Sequence, residues 1–381
     1  QFYFKRYFKN YFRLKRLAVV HYLPLEFYPP AVNLLNAFAE KELFNTKVWT
    51  THNNKQRQVF KSPTLTSISR TIAPKKSDYK GFRLLKYLLF NFKTFMGLLF
   101  FNPEVILYYE SYSAGPVYWY LKYFGNNKRL FIHCHEYFDA QWYAKGMSLV
   151  KLYHTYEKNY LYPKAAWISQ TNTDRIQMFA SDHPKLPSGI LKVVPNYPPQ
   201  DWLRHTNLIK PDGHTVIKTV YVGSLSLKDT FIKEYCDWVL KQNGKVYFHI
   251  YAYNLHDDTI AYLKSLNSDY IVFYTKGVEY NKMPALLADY DIGLILYKAH
   301  TKNYKHNAPN KLFEYLACKL LVLYPDVMSG MALYQSDNVI RLNFEQIPSF
   351  NEIKKYFSNK TDLKSSYNAK TALQPLIDHL Y

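Results

Sequence analysis

The segment Asn307-Ala-Pro-Asn-Lys-Leu-Phe-Glu-Tyr-Leu-Ala317 gathers three kinds of chemistry at the start of one helical pattern. Pro309 ends a loop, so Asn310 and Lys311 fall where a helix presents unbonded N–H groups and the positive end of its dipole. Those donors and the Lys311 ammonium suit phosphates, and the Glu314 carboxylate suits a vicinal diol such as a ribose. Upstream, His135 and Glu136 directly follow the apolar run 130–134. A neutral imidazole there can hydrogen-bond a bound hydroxyl. In Tyr221-Val-Gly-Ser-Leu-Ser-Leu-Lys228, Gly223 permits close backbone approach to a diphosphate. Ser224 and Ser226 add hydroxyl donors, and Lys228 adds a cation.

Positioning such groups needs rigid elements, and the sequence supplies them in alternation. Apolar runs at 17–21, 47–51, 105–109, 130–134 and 166–169 read as strands, with a weaker one near 66–71 and helical patterns between them. A polar stretch at about 200–215 reads as a linker. Beyond it, 216–222, 245–251, 270–274, 292–297 and 320–324 read as a second set of strands, and 365–381 has a helical pattern. Strands alternating with helices predict an α/β class with parallel sheets, whose ligands bind at the carboxyl ends of the strands. At 381 residues the chain is long enough for two such units.

Three blocks in the same order resemble GT-B glycosyltransferases of the large retaining family 4 type. They are Phe131-Ile-His-Cys-His-Glu-Tyr-Phe138, Tyr221 to Lys228, and Pro309 to Ala317 preceded by Tyr290-Asp-Ile-Gly-Leu-Ile-Leu-Tyr297. The resemblance implies two facing Rossmann-like domains with a cleft between them: 1–200 facing acceptor and membrane, 201–364 binding a nucleotide sugar. It also implies a terminal helix, 365–381, that crosses back to the first domain.

By the same resemblance Glu314 holds the donor ribose, His135 meets the donor sugar, and backbone near Gly277 and Val278 holds the nucleobase. His135 and Glu136 become the catalytic candidates. Asn310, Lys311, Gly223, Ser224 and Lys228 become donor contacts, and His21 and Glu110, which end strands of the first set, become acceptor contacts. The expected donor is a UDP- or GDP-type sugar, with no metal and no cofactor, so Lys311, Lys228 and helix dipoles must stabilise the leaving diphosphate. Three positions depart from the family pattern. His306 stands where many members carry a second glutamate, His133 replaces an acid, and Cys318-Lys319 replaces a Gly-Pro.

The net charge of +20 is lopsided: residues 1–200 hold 28 basic and 11 acidic side chains, and residues 201–381 hold 21 and 18. An anionic partner therefore belongs to the first half. Residues 1–16 place Phe4, Tyr7, Phe8, Tyr11 and Phe12 at helical spacing beside Lys5, Lys9, Arg13 and Arg16. In 79–101, Leu84, Leu85, Leu88, Leu89, Phe92, Phe95, Met96, Leu99 and Phe100 form a wide arc, with Lys80, Arg83, Lys86 and Lys93 on the remainder. Both predict helices that lie on an anionic membrane rather than cross it, although 79–101 also reads as a core helix. Three widely spaced cysteines form no metal or redox motif and fit a reducing compartment, placing the protein at the cytoplasmic face of a membrane. The expected acceptor is lipid-linked or a surface glycan, and no nucleic-acid module is recognisable. Rival readings are an inverting transferase or nucleotide-sugar epimerase using Glu110 or His135 as base, and a catalytically silent partner subunit, which His306 motivates.

Overall fold

A computed structural model describes residues 14–52, 59–62, 66–75, 77–125, 127–205, 216–252, 255–359, 361 and 367–381. The first sheet contains β1 (Lys15–His21), β2 (Phe44–His52), β3 (Thr66–Ile72), β4 (Val105–Tyr109), β5 (Arg129–Cys134), β6 (Ala165–Gln170) and β7 (Leu191–Val193). Its strands are all parallel and lie in the order β3-β2-β1-β4-β5-β6-β7. The second sheet contains β8 (Ile217–Val222), β9 (Val246–Tyr251), β10 (Ile271–Tyr274), β11 (Ile292–Leu294), β12 (Leu321–Pro325) and β13 (Val339–Leu342). It is also parallel, in the order β10-β9-β8-β11-β12-β13.

Burial on both faces explains the continuous apolar runs of the central strands. In β1, Ala18 and Val20 enter one core layer of the first domain while Leu17 and Val19 enter the other. Helices α1 (Pro29–Lys41), α2 (Lys80–Phe101) and α3 (Ala114–Tyr123) cover this sheet. Leu34, Leu35 and Phe38 of α1 fill the Leu17 side, and Tyr87, Phe90 and Leu98 of α2 fill the Ala18 side with Val117 and Leu121 of α3. The terminal helix Ala369–Leu380 crosses back as expected, placing Leu373, Leu376, Ile377 and Leu380 in the first-domain layer beside α1. Its entry is fixed by the Ala369 amide donating to the Pro198 carbonyl at 2.8 Å.

Each sheet reverses its strand order once, between β1 and β4 in the first and between β8 and β11 in the second. Those are the switch points where flanking loops diverge and leave room for a ligand. The short edge strands β7 and β13 were not among the strands read from the sequence, and β11 ends at Leu294 rather than at residue 297.

The structure describes the two stretches expected to lie on a membrane to different extents. Lys15 and Arg16 belong to β1, and residues 1–13, which carry the other aromatic and basic positions of that pattern, lie outside the described residues. In α2, Phe95 and Leu99 of the apolar arc pack on the core, but most of the arc is turned away from the sheet. Tyr87, Phe90, Asn91, Thr94 and Leu98 turn inward, while Phe82, Leu84, Leu85, Leu88, Leu89, Phe92 and Phe100 are exposed.

Candidate active site

On the second-domain wall, β8 ends at Val222 and the chain turns at Gly223 with φ +136°. The helix Asn310–Ala317 is pinned there by Tyr315. Its ring lies against Gly293 of β11, where a β-carbon would approach it to 2.3 Å, and its hydroxyl accepts the Val222 amide at 3.1 Å. One turn earlier, Lys311 reaches back over the Gly223 turn and donates to the Tyr297 hydroxyl at 2.9 Å. Its Nζ stands 5.3 Å from the Tyr221 ring centre and 5.2 Å from that of Tyr297. Pro309 precedes the helix and no side chain caps it, so the amides of Asn310 and Lys311 open the helix uncapped.

Glu314 is buried, and burial pushes its carboxyl up to about 7 against the opposing charge of Lys311. The structure thus brings Gly223, Asn310, Lys311 and Glu314 together at one switch point. Ser224 and Lys228 lie exposed on the following turn, and the Ser226 hydroxyl bonds Asp229 at 3.2 Å. Gly277, at φ +61°, turns the chain after β10, and Val278 packs on the core layer of the Asn310–Ala317 helix.

On the first-domain wall, His21, at the end of β1, joins His133, His135, Tyr28 and Tyr109 in a buried aromatic cluster. The His135 ring stacks on Tyr109 at 5.0 Å and lies 4.9 Å from His133 and 5.7 Å from His21. Burial lowers His21 to about 4 and His133 to about 3. Burial, with the neighbouring His133 and His21, holds His135 well below the ordinary histidine value. At neutral pH the cluster is uncharged. Neither ring nitrogen of His135 makes a well-aligned hydrogen bond among the described residues, and the Asn196 side chain is the polar group that reaches it. The acid expected at His133 is replaced by an imidazole that bonds Ser169 Oγ at 2.8 Å.

Glu110 follows β4 in a left-handed conformation, φ +59°. Its Oε1 accepts the amides of His135 at 2.5 Å and Glu136 at 3.3 Å, so it sets the loop that carries both. Burial, reinforced by Glu136, raises its carboxyl to about 8. Glu136, read from sequence as catalytic, has its Oε2 engaged by Arg175 Nη2 at 3.2 Å and by Asn303 Nδ2.

Sequence reasoning missed Arg175 and Asn303. Arg175 is buried and donates to the His135 carbonyl at 2.7 Å, to Thr171 Oγ1 at 2.9 Å and to Asn303 Oδ1 at 2.5 Å. Asn303 comes from the second domain, and its Oδ1 also accepts the Tyr137 amide at 3.0 Å. Beside it, Asn172 donates to the His306 carbonyl at 2.8 Å and His306 Nδ1 meets Asp174 at 3.0 Å. Next in the chain, Tyr304 stacks on Tyr297 at 5.1 Å, and Tyr297 holds Lys311. A continuous run of contacts therefore joins the His135 loop to the Lys311 turn. The signal for it was Asn172-Thr-Asp-Arg175, a capped helix start at the carboxyl end of β6. Among the described residues no group of three or more His, Cys, Asp or Glu side chains is arranged to hold a metal.

Two parallel sheets facing each other through their switch points, closed by a returning terminal helix, are the architecture of a known class. The chain has the GT-B fold. It aligns with sucrose-phosphate synthase from Thermosynechococcus elongatus over 96% of its length and 99% of that chain, with a TM-score of 0.66 and 12% identity. Anabaena HepE, solved with UDP and glucose, aligns over 96% and 99%, with a TM-score of 0.63 and 10% identity. The lipopolysaccharide outer core galactosyltransferase WaaB aligns over 96% and 95%, with a TM-score of 0.57 and 12% identity. The sequence matches no family model and no curated protein.

Proposed function

We propose that the protein is a glycosyltransferase that moves a hexose-type sugar from a UDP- or GDP-linked donor to a membrane-linked or surface-glycan acceptor, with retention at the anomeric carbon. The observation that carries this reading is the cradle of Gly223, Lys311 and Glu314 at the second-domain switch point. A diphosphate laid on the Gly223 turn meets the Lys311 ammonium and the uncapped amides of Asn310 and Lys311, and a ribose one turn on meets Glu314. That HepE was solved with UDP and glucose, on the same fold, supports the donor class. Backbone at Gly277 and Val278 holds the base in this reading, and no metal takes part.

During transfer an acceptor hydroxyl oxygen bonds the anomeric carbon while the bond to the diphosphate breaks. The hydroxyl proton passes to a leaving phosphate oxygen, on the same face of the sugar. Neutral His135 contributes a hydrogen bond to the sugar, and no protein nucleophile is invoked. The clasp of Arg175, Glu136 and Asn303 holds the two walls in register and keeps water from the donor.

The acceptor reaches the site from an anionic membrane on which the exposed face of α2 rests. Lys80, Arg83 and Lys93 are exposed beside its apolar residues, and Tyr87, Phe90 and Leu98 tie the helix to the sheet. By length and composition α2 could also cross a bilayer, but that packing argues for lying on it. The three free, buried cysteines support a reducing, cytoplasmic setting.

Calorimetric titration of UDP, GDP and their sugar conjugates into the wild type and Glu314→Ala tests the donor assignment. One nucleotide series should bind the wild type and lose at least tenfold in the variant. Failure of every nucleotide to bind folded protein would overturn the transferase reading and favour a silent subunit.

A further inference from the structure

The Lys311 ammonium has one hydrogen-bond partner among the described residues, the Tyr297 hydroxyl at 2.9 Å. A lysine side chain carries much rotamer freedom, and holding its ammonium over one turn of chain removes it. Here that ordering precedes any ligand. The ammonium lies beside the rings of Tyr221 and Tyr297, and the end of its stem lies against Gly223. An ammonium has three N–H donors, so one bond to a hydroxyl leaves two for an anion. Tyr297 can therefore hold Lys311 without withdrawing it from a phosphate.

Tyr297 is itself held through both main chain and ring. It lies past the end of β11, on a run pinned to residues 229–231. The Leu296 carbonyl accepts the Phe231 amide at 2.7 Å, Tyr297 bridges Thr230, and the Lys298 amide donates to the Asp229 carbonyl at 2.9 Å. The Tyr297 ring stacks on Tyr304 with planes 8° from parallel. Burial, then Tyr297 and Glu136, raises the Tyr304 phenol to about 12, so it stays neutral beside the ammonium.

Tyr304 belongs to the short helix Lys302–Lys305, capped by the Thr301 hydroxyl, which accepts the Tyr304 amide at 3.2 Å. The residue before it is Asn303, whose side chain bonds Arg175, Glu136 and the Tyr137 amide of the first domain. One hydrogen-bonded turn thus presents Asn303 to the opposite domain and Tyr304 to the ring that holds Lys311. Neighbours on such a turn move together.

We propose that Tyr297 is a positioning residue for the diphosphate lysine, and that Tyr304 makes its grip depend on the contact between the domains. The assignment rests on the glycosyltransferase reading. With the Asn303 bonds made, the Tyr304 ring backs Tyr297 and the ammonium is fixed over the Gly223 turn. With them broken, the 302–305 turn is released and Lys311 loses that backing. By reciprocity, an anion held by Lys311 favours the closed contact by the same factor.

Two readouts on the full chain test this. Acetylation of Lys311 by limiting acetic anhydride, followed by mass spectrometry, needs no nucleotide. It should rise severalfold in Tyr297→Phe, Tyr304→Leu and Asn303→Ala, and stay at the wild-type level in Tyr304→Phe, which keeps the stack. The Asn303→Ala/Tyr304→Leu double variant should go no further than either single one. In calorimetric titration with UDP and GDP, the series that binds should lose about tenfold in Tyr297→Phe. The matching nucleoside, followed by saturation-transfer NMR, should bind that variant as it binds the wild type. Unchanged acetylation in Tyr297→Phe overturns the proposal, and so does tighter nucleotide binding there, which would make the hydroxyl a competitor for the ammonium. A double variant whose effect is the product of the two single ones overturns the link to the domain contact. Acetylation that rises as expected, in a protein whose wild type binds no nucleotide, upholds the positioning and defeats the transferase reading alone.

Discussion

Gly223 and Lys311 are in direct contact: a β-carbon at Gly223 would stand 2.7 Å from both Cε and Nζ of the lysine. The lysine can fold across the turn after β8 only because Gly223 has no side chain. Gly223→Ala faces that clash and a φ of +136° that L residues rarely adopt. Nucleotide affinity should fall at least tenfold, with stability lower by about 1–3 kcal/mol. Calorimetric titration and thermal melting read the two effects separately. Ser224→Ala, at an exposed position, should leave stability unchanged.

With Glu314 in the proposed donor contact, donor binding should depend on pH. The ribose diol donates to a carboxylate, and burial holds Glu314 near 7 in the free protein. The ionised form is therefore the binding form, and it is lost as pH falls through 7. Affinity for a nucleotide sugar, whose diphosphate does not titrate in this range, should weaken about tenfold per pH unit below that point. Glu314→Gln should bind more weakly at pH 8 and show a flat profile from pH 6 to 8. A wild-type profile as flat as that of the variant would remove Glu314 from the donor contact.

Three bonds of the interdomain contact converge on one side chain. Asn303 accepts from Arg175 and from the Tyr137 amide and donates to Glu136, all from the opposite domain. Asn303→Ala leaves Arg175 only the main-chain carbonyl of residue 303, at 3.2 Å, across the domain contact and removes the Asn303 bond to Glu136. The radius of gyration from small-angle scattering should rise, and the transfer rate should drop at least tenfold. Arg175→Lys is the companion variant, since a lysine cannot span His135, Thr171 and Asn303 as a guanidinium does. An unchanged scattering profile in Asn303→Ala would show that other contacts hold the domains together.

The parts of this molecule that were legible in the sequence share a physical origin. Buried parallel strands such as β1 and β4 need uninterrupted apolar runs, and the Pro309-Asn-Lys start of the 310–317 helix is a local signal. Edge strands β7 and β13 are short, β7 buries no residue and β13 only Val339 and Leu342 at its two ends, so neither left such a run. Arg175 and Asn303 were illegible because their roles exist only when two domains meet, 128 positions apart. His306 was read as a departure from the family's donor-site glutamate, and its ring faces Asp174 across the domain contact, which no local pattern announces. For α2, periodicity identified an apolar arc without saying which way it turns. Only packing shows that Asn91 and Thr94 go inward while Leu84, Leu85, Leu88 and Leu89 stay out.

That inverted helix carries the last prediction. Leu85 is 58% exposed, Phe92 63% and Phe100 82%, too much apolar surface on one helix for water to be its natural neighbour. Phe124, in contact with Phe95, and Tyr123 extend the patch beyond α2. Exposed Lys80, Arg83 and Lys93 flank it, whereas Asp78 is paired with Lys86 at 2.7 Å, so an anionic surface is complementary. Each basic residue near such a surface adds about 1 kcal/mol. The protein should float with phosphatidylglycerol vesicles, far less with neutral phosphatidylcholine, and detach as salt rises. Leu85→Glu and Phe92→Glu should abolish flotation without lowering the melting temperature, because neither side chain is part of the core. If those variants instead split a dimer seen by sedimentation, while the wild type ignores vesicles of either kind, the face belongs to a second copy of the chain.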